Sequence, residues 1–253
     1  MRNDKDVVSG SVFSLDTLED RQLMSWGTLP QVIDQDLAAS KYPSVNGKGV
    51  VIADIDTGIS FNHSALSGRI WSNPGEIAGN RKDDDGNGYV DDVNGWDFVE
   101  NDNTPHDDQG HGTMTAGLMV ANKFTNRGNG RGYSGDGKEY AGIASGAKVV
   151  PLRVIDASNR MDPYRVEKAL RWVIGNHKRH NIVAVNMSLD VRSTGYPVVE
   201  DELRTLWNAG VFVGAASGNG SNTDDRLAYP AKGSYAMAVG SSNLNDTVRS
   251  RGS

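Results

Sequence analysis

VVIADIDTGI, residues 50–59 of a 253-residue chain, decides the fold class. It opens as an apolar run rich in β-branched residues and then turns acidic, with Asp54 and Asp56 one residue apart ahead of Thr57-Gly58. Such a run fits a strand buried on both faces of a sheet. Gly47 and Gly49 flank the turn into it. A strand that ends on carboxylates carries them to the rim of the sheet. Either one of them works alone there or the two act together.

Outward from this strand the pattern repeats. DQDLAASKY (34–42) reads as a short helix stopped by Pro43. KVVPLRVID (148–156) reads as a strand ending at Asp156, followed by a helix that Asp162 caps and Pro163 opens. The apolar face of that helix is Val166, Ala169, Leu170, Val173 and Ile174, at i, i+3, i+4, i+7 and i+8. Strand IVAVNMSL, helix VEDELRTLWN ended by Gly210, strand VFVGAAS and strand YAMAVG complete the series. Strands alternating with amphipathic helices predict an α/β fold with a mostly parallel central sheet covered on both faces. Working residues of such sheets gather at the carboxyl ends of strands, where Asp56, Asp156, Ser188 and Ser217 fall.

Composition sets outer limits. The net charge of −6 argues against a nucleic-acid partner, and no apolar run is long enough for a membrane span. With 0 cysteines there is no disulfide, thiolate nucleophile or cysteine-held metal. Residues 1–33 read as a leader-like segment without the apolar core of a secretory signal. Within it LEDRQLMS (18–25) is similar to a short element near the N-termini of some exported bacterial proteins.

An Asp-x-Asp pair after an apolar strand also occurs in phosphotransferases of the haloacid-dehalogenase type, but Gly58 stands where those enzymes carry Thr or Val. The other reading starts at QGHGTMTAGLMVAN (109–122), where His111 sits between two glycines and opens a run of helix formers. Together Asp56-Thr57-Gly58 and His111-Gly112-Thr113 resemble the subtilisin-like serine proteases, the subtilases. Asn62-His63, Val185-Asn186-Met187-Ser188-Leu189, Ala215-Ala216-Ser217-Gly218-Asn219 and Tyr229-Pro230-Ala231 extend the resemblance in the same order along the chain.

The resemblance implies a three-layer α/β fold and a Ser-His-Asp triad to which Asp56 and His111 belong. It implies that Asn219 donates its amide to the oxyanion. Ser188, Leu189 and Asp190, with Ala216, Ser217 and Gly218, would line the substrate cleft. Asp54 shares a strand face with Asp56. It is either a carboxyl satisfied near the sheet end or a support behind Asp56. Met114 stands where the family often has a second histidine, and Asp190 where it often has glycine. Asp190 would narrow or charge the specificity pocket, or would be a solvated loop carboxylate. The family's nucleophile lies in Gly-Thr-Ser-x-Ala, and no Gly-Thr-Ser occurs in these 253 residues. TVRSRGS (247–253), with Ser250 and Ser253, is similar to the stretch that precedes it. The expectation is a chain that stops short of its catalytic serine, is inactive alone, and leaves apolar strand residues uncovered where the serine helix would pack.

Between the Asp and His motifs lies an acidic insertion, residues 73–108. Asp83-x-Asp85-x-Asn87-Gly88 follows the start of an EF-hand loop, with Tyr89 offering its carbonyl and Asp91 or Asp92 a further oxygen. The last-position glutamate is missing. The loop reads either as a structural calcium site or as a solvated acidic loop. The whole reads as residues 34–253 of a partial peptidase domain. It would be monomeric when full length, act on polypeptides, and lie outside the cell or in the envelope of a bacterium. The alternative is a non-catalytic module that keeps the peptide cleft.

Overall fold

Strand β1 (Val51–Asp56) becomes an interior strand of the sheet that follows, because the chain later lays a parallel partner along each of its edges. The computed structural model describes residues 34–125, 137, 139–190, 199–219 and 227–241. The leader-like segment and the closing stretch with Ser250 and Ser253 lie outside the described residues.

After α1 (Gln35–Lys41) and β1, a long excursion contains the short strand β2 (Trp96–Asp97) and helix α2 (His111–Val120). A two-stranded antiparallel pair, β3 (Phe124–Thr125) and β4 (Glu139–Tyr140), precedes β5 (Lys148–Arg153). Helix α3 (Pro163–His180), β6 (Ile182–Met187), α4 (Glu200–Asn208), β7 (Phe212–Ala216) and β8 (Met237–Val239) follow. The central sheet has six strands in the order β2-β5-β1-β6-β7-β8, every pair parallel. This is the α/β architecture the alternating pattern predicts.

Alternation along β1 divides the core. Val51, Ala53 and Ile55 pack with buried residues of α3 and α4, whereas Val50 and Ile52 pack toward Ala116 and Val120 of α2. Asp54 and Asp56, at even positions, therefore face α2. Order along the sheet reverses at β1: β5 lies on one side and β6, the next strand in sequence, on the other. A crevice opens at such a switch point beyond the carboxyl ends of the strands, where Asp56 sits.

Helix α3 is capped as its sequence predicts, with Asp162 accepting the Tyr164 N–H and Pro163 opening the first turn. Its buried surface is wider than one stripe. Trp172, Asn176 and His180 are buried beside Val166, Ala169, Leu170 and Val173, while Ile174 is only partly covered. Part of this additional surface meets Trp71, just before the acidic insertion, edge-on from Trp172 at 5.8 Å and from His180 at 4.8 Å, and Trp172 Nε1 donates to Asp92 within the insertion.

Candidate active site

Two loops meet where β1 ends. Gly58, at φ 109°, takes a turn that excludes a side chain: a Cβ there would stand 2.7 Å from the carbonyl oxygens of Pro105 and His106. Gly112, in the first turn of α2, lies so close that a Cβ would run into the Gly58 carbonyl. Its N–H donates to Thr57 Oγ1 at 2.8 Å. Gly58 and Gly112 thus let the helix start rest directly on the strand end.

The result is a short dyad. His111 Nδ1 lies 2.7 and 2.9 Å from the two Asp56 carboxylate oxygens, and Asp56 is fully buried. Asp56 also accepts the Thr57 N–H at 2.6 Å. Burial pushes the His111 imidazole down, but the Asp56 hydrogen bond and charge, joined by Asp54 and Asp107, outweigh this and hold it above its ordinary value. With Nδ1 committed to Asp56, Nε2 is the nitrogen left to exchange protons with a substrate or nucleophile.

Asp107, which the sequence reading did not single out, organises the helix start. One carboxylate oxygen accepts from Thr57 Oγ1 and the N–H groups of Gln109 and Gly110; the other accepts the Thr113 N–H and hydroxyl. Helix α2 has no side-chain cap of its own at Gly110, so Asp107 supplies that service from outside the helix. Its spacing, four residues before the histidine, carries a signal only once the helix start is known. Gln109 reaches back to donate its side-chain amide to the Asp156 carbonyl, in the turn after β5. Asp156 itself lies beyond the end of β5 and closes that turn with Ser158 and Arg160.

The residues expected to line a substrate cleft gather at the same sheet edge. Ser188 follows β6, and its hydroxyl pairs with the Asn186 amide. Ser188 and Ala216 line an open cleft of about 440 Å³ together with Ile52, Met119, Asn186 and Phe212. Leu189 is buried and Asp190 partly so. Ser217 ties β7 to its neighbours, donating to the Val239 carbonyl and accepting from Ala228. Gly218 takes φ 103°, and Asn219 is exposed three residues past the end of β7. Among the described residues no helix packs over β6, β7 and β8 on this face, and β8 is exposed along its length.

In the acidic insertion, carboxylate oxygens of Glu76, Asp83 and Asp85 lie within 4.8 Å of one another. Gly75 leaves room for this, since a Cβ there would stand 2.7 Å from Asp85 Cβ. Asp83 receives the N–H groups of Gly86, Asn87 and Gly88, which hold it below its ordinary range, and this folds the loop around it. Asn87 donates to Asp85 and Asp92, and the Tyr89 ring packs on Trp96 and Phe98. Asp91 receives the N–H groups of Gly79 and Arg81. Asp92 is buried and accepts from Trp172 Nε1, Asn73 and Asn87; burial pushes it up to about 6 against those donors. Asp97 forms a buried ion pair with Arg153 at 2.6 Å. Glu76 joins the cluster from seven residues upstream of Asp83, a contact with no local sequence pattern.

A family model of the subtilases matches residues 47–253. The chain belongs to the subtilase family. It is 30% identical over 213 residues to thermitase of Thermoactinomyces vulgaris, covering 84% of this chain and 62% of thermitase. It is 29% identical over 209 residues to subtilisin-like protease 3 of Arthroderma otae, covering 81% of this chain and 41% of that protein. A subtilisin-like protease of Coccidioides posadasii is 28% identical over 207 residues, with the same coverage. This subtilase chain thus spans about three fifths of thermitase and two fifths of the fungal proteases. No described helix is long and apolar enough to cross a membrane.

Proposed function

We propose that this subtilase chain supplies the acid–base half of a serine endopeptidase. The observation that carries the reading is the pairing of His111 Nδ1 with a fully buried Asp56 at 2.7 Å, at the switch point of a parallel sheet. Asp56 fixes the tautomer that leaves Nε2 as base, and stabilises the imidazolium once His111 has taken a serine proton. His111 then returns that proton to the leaving amine. Asn219 donates its side-chain amide to the oxyanion, a contact worth about 100- to 1000-fold in rate. The substrate backbone lies along Ser188-Leu189-Asp190 and Ala216-Ser217-Gly218. Polypeptides are the substrates, and the site of action is outside the cell or in the envelope of a bacterium.

The nucleophile comes from a Gly-Thr-Ser-x-Ala segment that these 253 residues do not contain, so the chain alone is inactive. The loop at Glu76, Asp83 and Asp85 suits a hard cation held by oxygens, with Asn87 and the Tyr89 carbonyl as further donors. Calcium there would neutralise converging carboxylates and serve stability.

A fluorophosphonate probe tests the reading. The natural full-length protein is expected to be labelled on one serine and to cleave casein, the 253-residue chain to do neither. Asp56→Asn should lower turnover of the full-length protein by about 10⁴-fold. Serine labelling of the short chain, abolished by His111→Ala, would refute its inactivity. A folded full-length protein that binds peptides without cutting them would be the non-catalytic module instead.

A further inference from the structure

Behind the dyad lies a second rung. Asp56 and Asp54 are two apart on a strand, and His111 and Thr115 are four apart on a helix; both spacings return to the same face after about 6–7 Å. Thr115 Oγ1 meets Asp54 Oδ2 at 3.0 Å, parallel to the His111–Asp56 contact. On its other side Asp54 Oδ1 accepts the Asn186 amide at 2.8 Å, and Asn186 in turn meets the Ser188 hydroxyl at 3.1 Å. Asp54 is 3% exposed, so its contact with Thr115 is made in a dry environment, while Asn186 carries the chain out to Ser188 at the wall of the open cleft.

We propose that Asp54 is a positioning residue that locks the helix bearing His111 to the strand end bearing Ser188, through Thr115 and Asn186. The proposal rests on the peptidase reading above and extends it from the dyad to the cleft wall.

The lock has two proton states. Burial, then the charge of Asp56, pushes the Asp54 carboxyl up to about 8, against the hydrogen bonds of Asn186 and Thr115 and the charge of His111. Below that pH Asp54 donates its proton to Thr115 Oγ1. Thr115 then donates onward to the Gly112 carbonyl, 3.0 Å away, and every group in the chain has a partner. Above it Asp54 is a carboxylate that needs the Thr115 proton for itself. The hydroxyl turns, the Gly112 carbonyl loses this side-chain donor in the helix turn next to His111, and a second negative charge faces the dyad. The titratable groups facing Asp54 are Asp56 on its own strand and His111 on α2; β6 presents the neutral Asn186, and β5 pairs Pro151 with it. Asp54 and His111 therefore titrate as a coupled pair, and each step registers at both sites.

The test is histidine-labelled natural full-length protein, titrated by NMR from about pH 5 to about pH 10, a range that brackets both groups. The wild-type His111 ring should move in two steps, one of them near pH 8. Asp54→Asn still donates to Thr115 and accepts from Asn186, so the chain of contacts stays while the step near pH 8 vanishes. Asp54→Val removes both contacts and should shift the backbone signals of Gly112 and Ser188 together. In cleavage assays Asp54→Val should lose about 10- to 100-fold in kcat with little change in KM, the expected penalty for a misplaced base, and Asn at the same position should restore most of it. Two steps of the His111 ring that both survive in Asp54→Asn overturn the proposal, as do Gly112 and Ser188 signals that stay put in Asp54→Val. If the wild type cuts no peptide at all, the peptidase reading falls, and the NMR steps still decide the lock.

Discussion

Two buried carboxyls within one site hold opposite protonation states, and donor count explains why. Burial pushes both up. Asp107 collects five hydrogen bonds, led by the Thr113 hydroxyl, and these outweigh burial and hold it below its ordinary value. Asp54 has two donors and a like-charged neighbour, and goes up. Their effects on stability have opposite sign with pH. Asp107 contributes stability that is complete above about pH 4 and is lost as pH falls through its lowered folded value. Asp54 keeps its proton in the fold and loses it in the unfolded chain from 3.8 upward, so it costs up to about 1.4 kcal/mol per pH unit between about 4 and 8. Urea melts of the full-length protein at several pH values should therefore diverge. Asp107→Asn should be about 2–4 kcal/mol less stable at pH 7, with the gap closing below pH 4. Asp54→Asn should gain on the wild type as pH rises toward 8. Parallel pH curves for all three proteins would contradict both assignments. At this scale Asp56 and His111 were legible in the sequence, because Gly on either side of a helix-opening histidine is a local pattern. Asp107, Thr115 and Asn186 were not, since they reach the dyad across 50 or more residues or through a helix turn whose phase is set by packing.

Among elements, the sequence yields β1, β6, β7 and β8 and helices α1 and α4 to within two residues at each end, and the starts of α2 and α3, since each carries its own period; β5 ends at Arg153, three residues before the expected Asp156. The two-residue strands β2, β3 and β4 are too short to show one. Helix α3 shows a subtler failure. Its apolar period shows a single stripe, and Trp172 and His180 are buried outside it because the residues they meet, Asp92 and Asp85, belong to an irregular acidic loop with no period of its own. That loop is pinned at two points: Asp85 takes Arg179 at 3.2 Å, and Asp97 takes Arg153. It thereby joins the far ends of α3 and β5. A cation held by Glu76, Asp83 and Asp85 would act on this joint. Calcium at a hundredfold excess over its Kd should stabilise the full-length protein by about 2.7 kcal/mol. Titration calorimetry should give one binding event, absent in the double variant Asp83→Ala, Asp85→Ala. Equal heats for the two proteins would leave the loop a solvated acidic turn.

At the scale of the whole molecule, the two faces of the sheet differ. One is covered by α3 and α4. On the other, α2 covers β1 and β5, while Phe212 and Val239, about half exposed, line the open cleft and Met237 of β8 is exposed to a similar degree. Each large apolar side chain left in water forgoes about 1.5–3 kcal/mol. Net stability of a domain is only about 5–15 kcal/mol, so a few such losses matter. The 253-residue chain alone is expected to bind hydrophobic dyes and to melt without a sharp transition. Extension with its natural downstream sequence should abolish dye binding and restore a cooperative melt. A cooperative, dye-free monomer of the short chain would show that the face is covered some other way.

The placement of β1 also sets a timetable. Among the described strands it comes first in the chain but sits between β5 and β6, and Ile182 follows Val51 by about 130 residues. At ribosomal speeds of about 5–20 residues per second, a newly synthesised β1 waits roughly 7–25 seconds for its second partner. Until β5 is made both edges of this apolar strand are available to chaperones or to other nascent chains, and one edge stays open until β6 follows. The sheet cannot grow from its amino-terminal end; it closes late and from the middle, and the high sequence separation of its pairs makes that closure slow. Asp54 and Asp56, two charges set into the run itself, keep this waiting segment from being a wholly apolar template for aggregation.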